Sequence, residues 1–228
     1  MNHVPTNRYF VFISIALVGF VWDVGSKNLV FSDLGYVLEP GTPRQRVFSG
    51  KNRLFQRQTH SLKPGVSRSY LKRWVSFKFH TSFNHGALWG FGQGWTWVFA
   101  TLSFLAIIAV VGWLFVWKAA KSLWLTVSLA FIMAGTLGNL WDRLSWHGYR
   151  DVLNEPVHAV RDFLYFKLGS FDWPVFNFAD VFLVTGAIML IVQAIYLDAK
   201  HPPTTNAKSK NETGPAESVL DISEIPDT

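Results

Sequence analysis

WTWVFATLSFLAIIAVVGWLFVW, Trp95 to Trp117, runs for 23 residues without a charge. At about 1.5 Å per residue a helix of that length crosses a hydrocarbon core of about 30 Å, and tryptophan at both ends suits the headgroup belts. The stretch predicts a transmembrane helix, and the flanking sequence extends the pattern. Residues 9–31, 122–141 and 178–197 predict three further spans. Lys118 and Lys121 mark a short turn between the second and third. The first apolar block, Tyr9 to Trp22 behind Arg8, is patterned like a signal peptide, but no small-residue cleavage site follows it. It continues instead through Asp23 and Lys27 to another apolar group at Leu29 to Phe31, which favours an uncleaved span.

Four spans place both termini on one side together with the Lys118 turn, and two long segments, about 32–94 and 142–177, on the other. The first segment contains a basic stretch, about 35–78, with Arg44, Arg46, Lys51, Arg53, Arg57, Lys63, Arg68, Lys72, Arg73 and Lys78. Counted naively, those cations make the segment cytoplasmic. The positive-inside rule, however, applies to shorter loops and to charges near span ends, so charge alone leaves orientation open. From His201 onward the chain is rich in Pro, Thr, Ser, Lys and Glu and predicts a disordered tail. The predicted class is an all-α four-transmembrane-helix bundle with a small, partly β loop region, divided into a membrane domain, 1–197, and a tail, 198–228.

Half of the residues are hydrophobic and 16% are charged, with a net charge of +6. Basic residues flanking apolar spans meet anionic lipid headgroups, so lipid is the expected partner and nucleic acid is not. The chain has no cysteine, which removes thiol nucleophiles and disulfides. His80, His85, His147 and His158 lack metal-ligand spacing, and neither a metal nor another cofactor is expected. Carboxylates are left as the candidate chemistry.

Asp180, in Phe176-Asn177-Phe178-Ala179-Asp180, heads an otherwise uncharged span. A carboxylate at a bilayer boundary is costly and marks function, or else it caps the helix N-terminus. Asp162, in Val160-Arg161-Asp162-Phe163, lies in the apolar-rich loop before that span. It is either a second carboxylate returning to the same surface or half of a surface salt bridge with Arg161 or Arg150. Two carboxylates sharing a site do not both ionise readily, which provides an acid and a base side by side. At the end of span three, Gly138-Asn139-Leu140-Trp141-Asp142-Arg143 puts Asn139 and Arg143 on one helix face. These side chains either hold a peptide backbone or form a capped, snorkelling helix end. The small Gly135 and Gly138 permit close approach of another helix.

In order along the chain, Asp23, Asn84-x-Gly86-Ala87, Gly138-Asn139-Leu140-x-Asp142-Arg143, Val160-x-Asp162-Phe163 and Phe176-Asn177-x-Ala179-Asp180 resemble lipoprotein signal peptidase, or signal peptidase II. The resemblance covers all four spans apart from the basic stretch. It implies a monomeric aspartic endopeptidase of the bacterial inner membrane, with both termini cytoplasmic and the active site near the outer face. Its substrate is a diacylglyceryl-modified prolipoprotein, cut before the lipidated cysteine without a cofactor. By motif match Asp162 and Asp180 are the catalytic dyad. Asn84, Asn139, Arg143 and Asn177 hold substrate backbone and dyad geometry, and Asp23 and Asp142 support the site.

The chain departs from the family pattern in the length of its basic segment, in its tail, at Leu88 and Trp89, and at Arg161, where an apolar residue is frequent. In extended backbone Arg161 is expected to point away from Asp162. A non-enzymatic carrier using Asp23 and Asp180 as a proton relay is the contrasting reading. It requires carboxylates spread through the membrane depth and a repeat between halves, and neither is visible. The Tyr-Asp and Gly-x-Gly-Asp signatures of presenilin-type proteases are absent as well.

Overall fold

In the computed structural model the described residues are 3–37, 47–48, 67–69, 75–86, 92, 94–151 and 154–200. Four helices among them are long and apolar enough to cross a membrane. Helix α1 spans Thr6–Leu34 and α2 spans Thr96–Val111, continued by one π-helical turn at Gly112–Val116. Helix α3 spans Leu123–Arg143 and α4 spans Phe178–Lys200. At about 1.5 Å per residue the 29 residues of α1 exceed the hydrocarbon thickness, so the helix carries its end into the extramembrane layer.

The turn between α2 and α3 is tight. Lys118 takes a left-handed φ of 60°, and a 3-10 turn follows at Ala119–Lys121. Ser122 then caps α3 by accepting from the Leu125 N–H at 3.3 Å. Half of the apolar window of α3 is buried, against 11–22% in the other three, so α3 is the central helix. It packs against α1, α2 and α4. The outer faces of the rest, with Phe10, Ile13, Leu17 and Val21 on α1 and Val184, Ile188 and Ile191 on α4, are exposed and match lipid rather than water.

Small residues set the spacing of the bundle. A Cβ on Gly186 would stand 2.6 Å from the Ser128 carbonyl oxygen, and one on Gly19 would stand 2.7 Å from the Ala134 Cβ. At Gly135 a Cβ would run into the Ala179 carbonyl, so α4 lies backbone-close to α3 where both approach the site.

The extramembrane part is a four-stranded antiparallel sheet of order β3-β4-β5-β6, comprising Ser67–Ser69, Val75–Asn84, Val160–Leu168 and Phe171–Asp172. A separate pair joins β1, Tyr36–Val37, to β2, Val47–Phe48. Strands β4 and β5 run in register from Val75↔Leu168 to Phe79↔Leu164. They resume one residue out of step at Ser82↔Asp162, so β4 bulges between Phe79 and Ser82. The bulge leaves Asn84 diagonal to Asp162 on one face. Val30, Phe31, Tyr36, Phe83, Val157, Ala159, Phe163 and Leu164 form the core that seats the sheet on the end of α1. Most of the basic stretch and the tail from 201 on lie outside the described residues, as does the Ala87 to Gly90 part of the second motif.

Candidate active site

Asp162 sits on β5, and Asp180 lies in the first turn of α4. Asn177 joins them: its side-chain Nδ2 donates to Asp162 Oδ1 at 2.6 Å, and its backbone N–H donates to Asp180 Oδ2 at 3.0 Å. The Asp180 N–H in turn donates to Asn177 Oδ1 at 3.1 Å. That reciprocal pair is a capping box, with Asn177 at the N-cap and Asp180 three residues on. Asp180 therefore takes part in the helix cap, one of the two readings it allowed, and through Asn177 it is linked to Asp162.

Three asparagines face the carboxylates, and each is oriented by a donor on its other end. Asn84 Oδ1 accepts from the Gly86 N–H at 2.9 Å, so its Nδ2 is the end that donates to Asp162 Oδ2, at 3.0 Å. The Asp180 N–H orients Asn177 in the same way. Asn139 Oδ1 accepts from Lys27 Nζ and from Asn177 Nδ2, both at 3.2 Å, which turns Asn139 Nδ2 onto Asp180 Oδ1 at 2.9 Å. Asp162 and Asp180 thus each receive N–H donors on both oxygens.

Behind them is a buried ionic layer. Lys27 Nζ meets Asp23 Oδ2 at 2.7 Å and Asp142 Oδ2 at 3.1 Å. Arg161 Nη2 meets Asp142 Oδ1 at 2.8 Å, and all four side chains are 0% exposed. Two cations against two carboxylates leave the layer neutral, the condition under which buried charge is tolerable. Asp23 Oδ1 also accepts from the Ala179 N–H at 2.8 Å, satisfying another orphan donor at the start of α4. Gly138 makes room for Asp23, since a Cβ there would collide with Asp23 Oδ2.

Arg143 is buried rather than snorkelling. Its Nη2 donates to the Gly86 carbonyl at 2.9 Å and its guanidinium covers the Phe99 ring at 4.8 Å. Its Nη1 is buried without a hydrogen-bond partner among the described residues. Neither Arg161 nor Arg150 forms the surface salt bridge considered for Asp162. Arg161 leaves the opposite face of β5 and binds Asp142, and Arg150 donates to the Asn154 carbonyl.

Asp162 is buried, while Asp180 is only half-buried. Burial, and then the neighbouring Asp180 carboxylate, push the Asp162 carboxyl well above the ordinary carboxylate range, against the opposing pull of Asn177, Lys27 and Asn84. Burial holds His147 down at about 4, so its imidazole is neutral near pH 7. Its Nδ1 accepts from the Tyr149 N–H at 3.0 Å. Among the described residues no group of three or more His, Asp and Glu side chains has a metal-binding arrangement.

Asp23, Asn84, Asn139, Asp142, Arg143, Asp162, Asn177 and Asp180 all meet in this one network. Lys27 and the anchoring role of Arg161 were missed. Lys27 had a readable signal: a lysine four residues after an aspartate in an apolar span is placed to pair with it. Arg161 had none beyond its charge in an apolar strand.

Comparison with known proteins places the geometry among relatives. Residues 15–196 match the family model for signal peptidase (SPase) II. A lipoprotein signal peptidase of Rhodopirellula baltica is 37% identical over 191 residues, 83% of this chain and 74% of the relative. One from Vibrio vulnificus is 29% identical over 182 residues, 78% of this chain and 84% of the relative. A solved bacterial membrane enzyme, determined by the in meso method at 2.3 Å, superposes with a TM-score of 0.57. It spans 89% of this chain and 94% of its own at 23% identity, a likeness of fold.

Proposed function

The chain belongs to the signal peptidase II family of signal peptide-cleaving membrane proteases, and from that premise we propose that Asp162 and Asp180 form an aspartic dyad cutting diacylglyceryl-modified prolipoproteins before the lipidated cysteine. The observation that carries this is Asn177, one residue bonded to both carboxylates. Such a link fixes the two carboxylates relative to one another, as a shared acid–base step on water requires.

The division of roles follows burial. Asp162, with its raised affinity for a proton, is the acid; Asp180, more exposed, is the base. Asp180 takes a proton from water, whose oxygen attacks the scissile carbonyl carbon while Asp162 gives its proton to the carbonyl oxygen. Collapse of the resulting gem-diol breaks the C–N bond. The amine leaves with the proton that Asp180 received, and Asp162 recovers one from the diol. Arg143 Nη1, without a partner among the described residues, supplies a donor for a substrate carbonyl, and the 84–86 turn that Arg143 grips lies beside it. A dyad at the start of a span meets a peptide bond at headgroup level while the substrate's acyl chains stay in the bilayer. We place that surface at the outer face of the bacterial inner membrane, with a monomer as the working unit.

The pH dependence tests the assignment. Activity needs one proton on the pair and is lost as pH rises through the raised value, so the basic limb of kcat/KM lies above the ordinary aspartate value of about 4. A basic limb at the ordinary value contradicts the acid role of Asp162. A group whose folded pKa is raised favours the folded state fully below the unfolded value, and that contribution declines as pH climbs through the folded one. Thermal midpoints of the detergent-solubilised protein are expected to drop over the same pH window, and to a lesser degree in Asp162→Asn.

Asn177→Ala removes the donor to Asp162 and half of the capping box together. The cap alone is worth about 0.5–2 kcal/mol, so the variant is expected to lose modest stability but most of its turnover. Activity near the parent's in a folded Asn177→Ala would count against the bridging role.

A further inference from the structure

We infer that Arg161 is a positioning residue for the carboxylate pair, fixing β5 against the ends of α3 and α1 so that Asp162 is presented at the right place. The inference rests on the dyad proposed above. Successive side chains on a strand leave opposite faces, so Asp162 turns to the site while Arg161 turns to the bundle. There its Nε and Nη2 donate to Asp142 Oδ1 at 2.9 and 2.8 Å, and its Nη1 donates to Asn28 Oδ1 at 2.5 Å. The Arg161 backbone N–H also donates to Asp142 Oδ2 at 3.0 Å. The guanidinium lies over the Tyr149 and Phe31 rings at 5.7 and 5.9 Å and is fully buried.

One side chain therefore ties the residue next to Asp162 to α3, to α1 and to the loop after α3. The contacts continue to the other carboxylate. Asp142 meets Lys27, Lys27 donates to Asn139 Oδ1, and Asn139 donates to Asp180. The two aspartates are thus placed relative to one another through a path that avoids the reacting atoms. The planar fork of Arg161 is essential to this anchor, because a lysine ammonium keeps the charge but cannot hold Asp142 and Asn28 in fixed directions at once.

A buried anchor that only stabilised the fold would change how much protein folds, not how fast folded protein turns over. The test is kcat and KM of the purified full-length protein on a lipid-modified precursor peptide, with the thermal midpoint of each sample, for the parent, Arg161→Lys and Arg161→Met. The expected result is a folded Arg161→Lys with kcat lowered about 10- to 100-fold, KM within about twofold, and Arg161→Met lower still. If Arg161→Met does not accumulate, Arg161→Lys decides alone. The inference is overturned if a folded variant keeps kcat within about twofold of the parent, or if neither variant folds, which would make Arg161 a folding determinant instead. Asp162→Asn run alongside separates the two levels. An active Asp162→Asn removes the dyad itself, whereas an inactive one beside fully active Arg161 variants overturns only the positioning role.

Discussion

Asp162→Asn and Asp180→Asn are each expected to lower turnover of a lipid-modified precursor by about 10²- to 10⁴-fold, the range that acid–base groups supply, while the protein still inserts and accumulates. Replacement by asparagine conserves volume, so the packing of Phe163 and Val160 around position 162 is kept. At position 180 an asparagine Oδ1 can still accept from the Asn177 N–H, so the capping contact at 3.0 Å survives in weaker form. Each new asparagine also turns its Nδ2 towards a donor, Asn84 or Asn177 at 162 and Asn139 at 180, so a stability loss of about 1–3 kcal/mol is expected in either variant. If the carboxyls act as the proposed unit, the double variant is no slower than the worse single one. Losses that multiplied would mean that the two act in separate steps. The readout is the initial rate of precursor cleavage per mole of protein, matched by membrane-fraction immunoblots for accumulation.

A large effect on stability is expected at Gly138. A single methyl there collides with Asp23 Oδ2, and its next neighbour is the Ala179 Cβ, at 3.3 Å from the added carbon. Neither can yield freely. Asp23 is held between Lys27 Nζ at 2.7 Å and the Ala179 N–H at 2.8 Å, and Ala179 is at the start of α4. Overpacking alone costs about 1–3 kcal/mol. If Asp23 gives way, Lys27 loses a buried partner, a disruption worth about 3–5 kcal/mol. Gly138→Ala should therefore lower the thermal midpoint sharply and abolish activity, since α4 and Asp180 move with Asp23. Gly25→Ala on the exposed side of α1, where an added Cβ meets nothing within 4 Å, is the control and should be neutral. Equal midpoints for the two variants would contradict the tight seating of Asp23.

The bundle was legible because spans announce themselves through length and lack of charge. The ends were less so. Helix α1 extends to Leu34, past the expected limit at 31, because its last turns pack Val30 and Phe31 into the sheet's core, a tertiary reward that hydropathy does not register. The β character of the loops was readable only as turn chemistry and short runs. Nothing in the sequence marks the extra residue between Phe79 and Ser82 that brings Asn84 alongside Asp162.

Within the site, motif order identified which side chains would gather, but not what each would touch. Asn139 and Arg143 share a helix face as their spacing requires, yet Asn139 turns to Asp180 and Lys27 while Arg143 reaches the Gly86 carbonyl. Those choices depend on which neighbours are donors only and which acceptors only, and they become visible once three helices and a strand are in place. Arg161 shows the same limit. Strand alternation fixed the direction it would leave Asp162, and only the fold revealed Asp142 and Asn28 waiting there.

The central claim is that this pair cuts a prolipoprotein at its lipidated cysteine, and mass spectrometry of the products tests it most directly. Purified protein in vesicles is given a precursor peptide with or without a diacylglyceryl group on its cysteine. One cut is expected, immediately before the cysteine, in the modified peptide and none in the unmodified one. Cleavage elsewhere, equal cleavage of both peptides, or no cleavage of the modified peptide would contradict it.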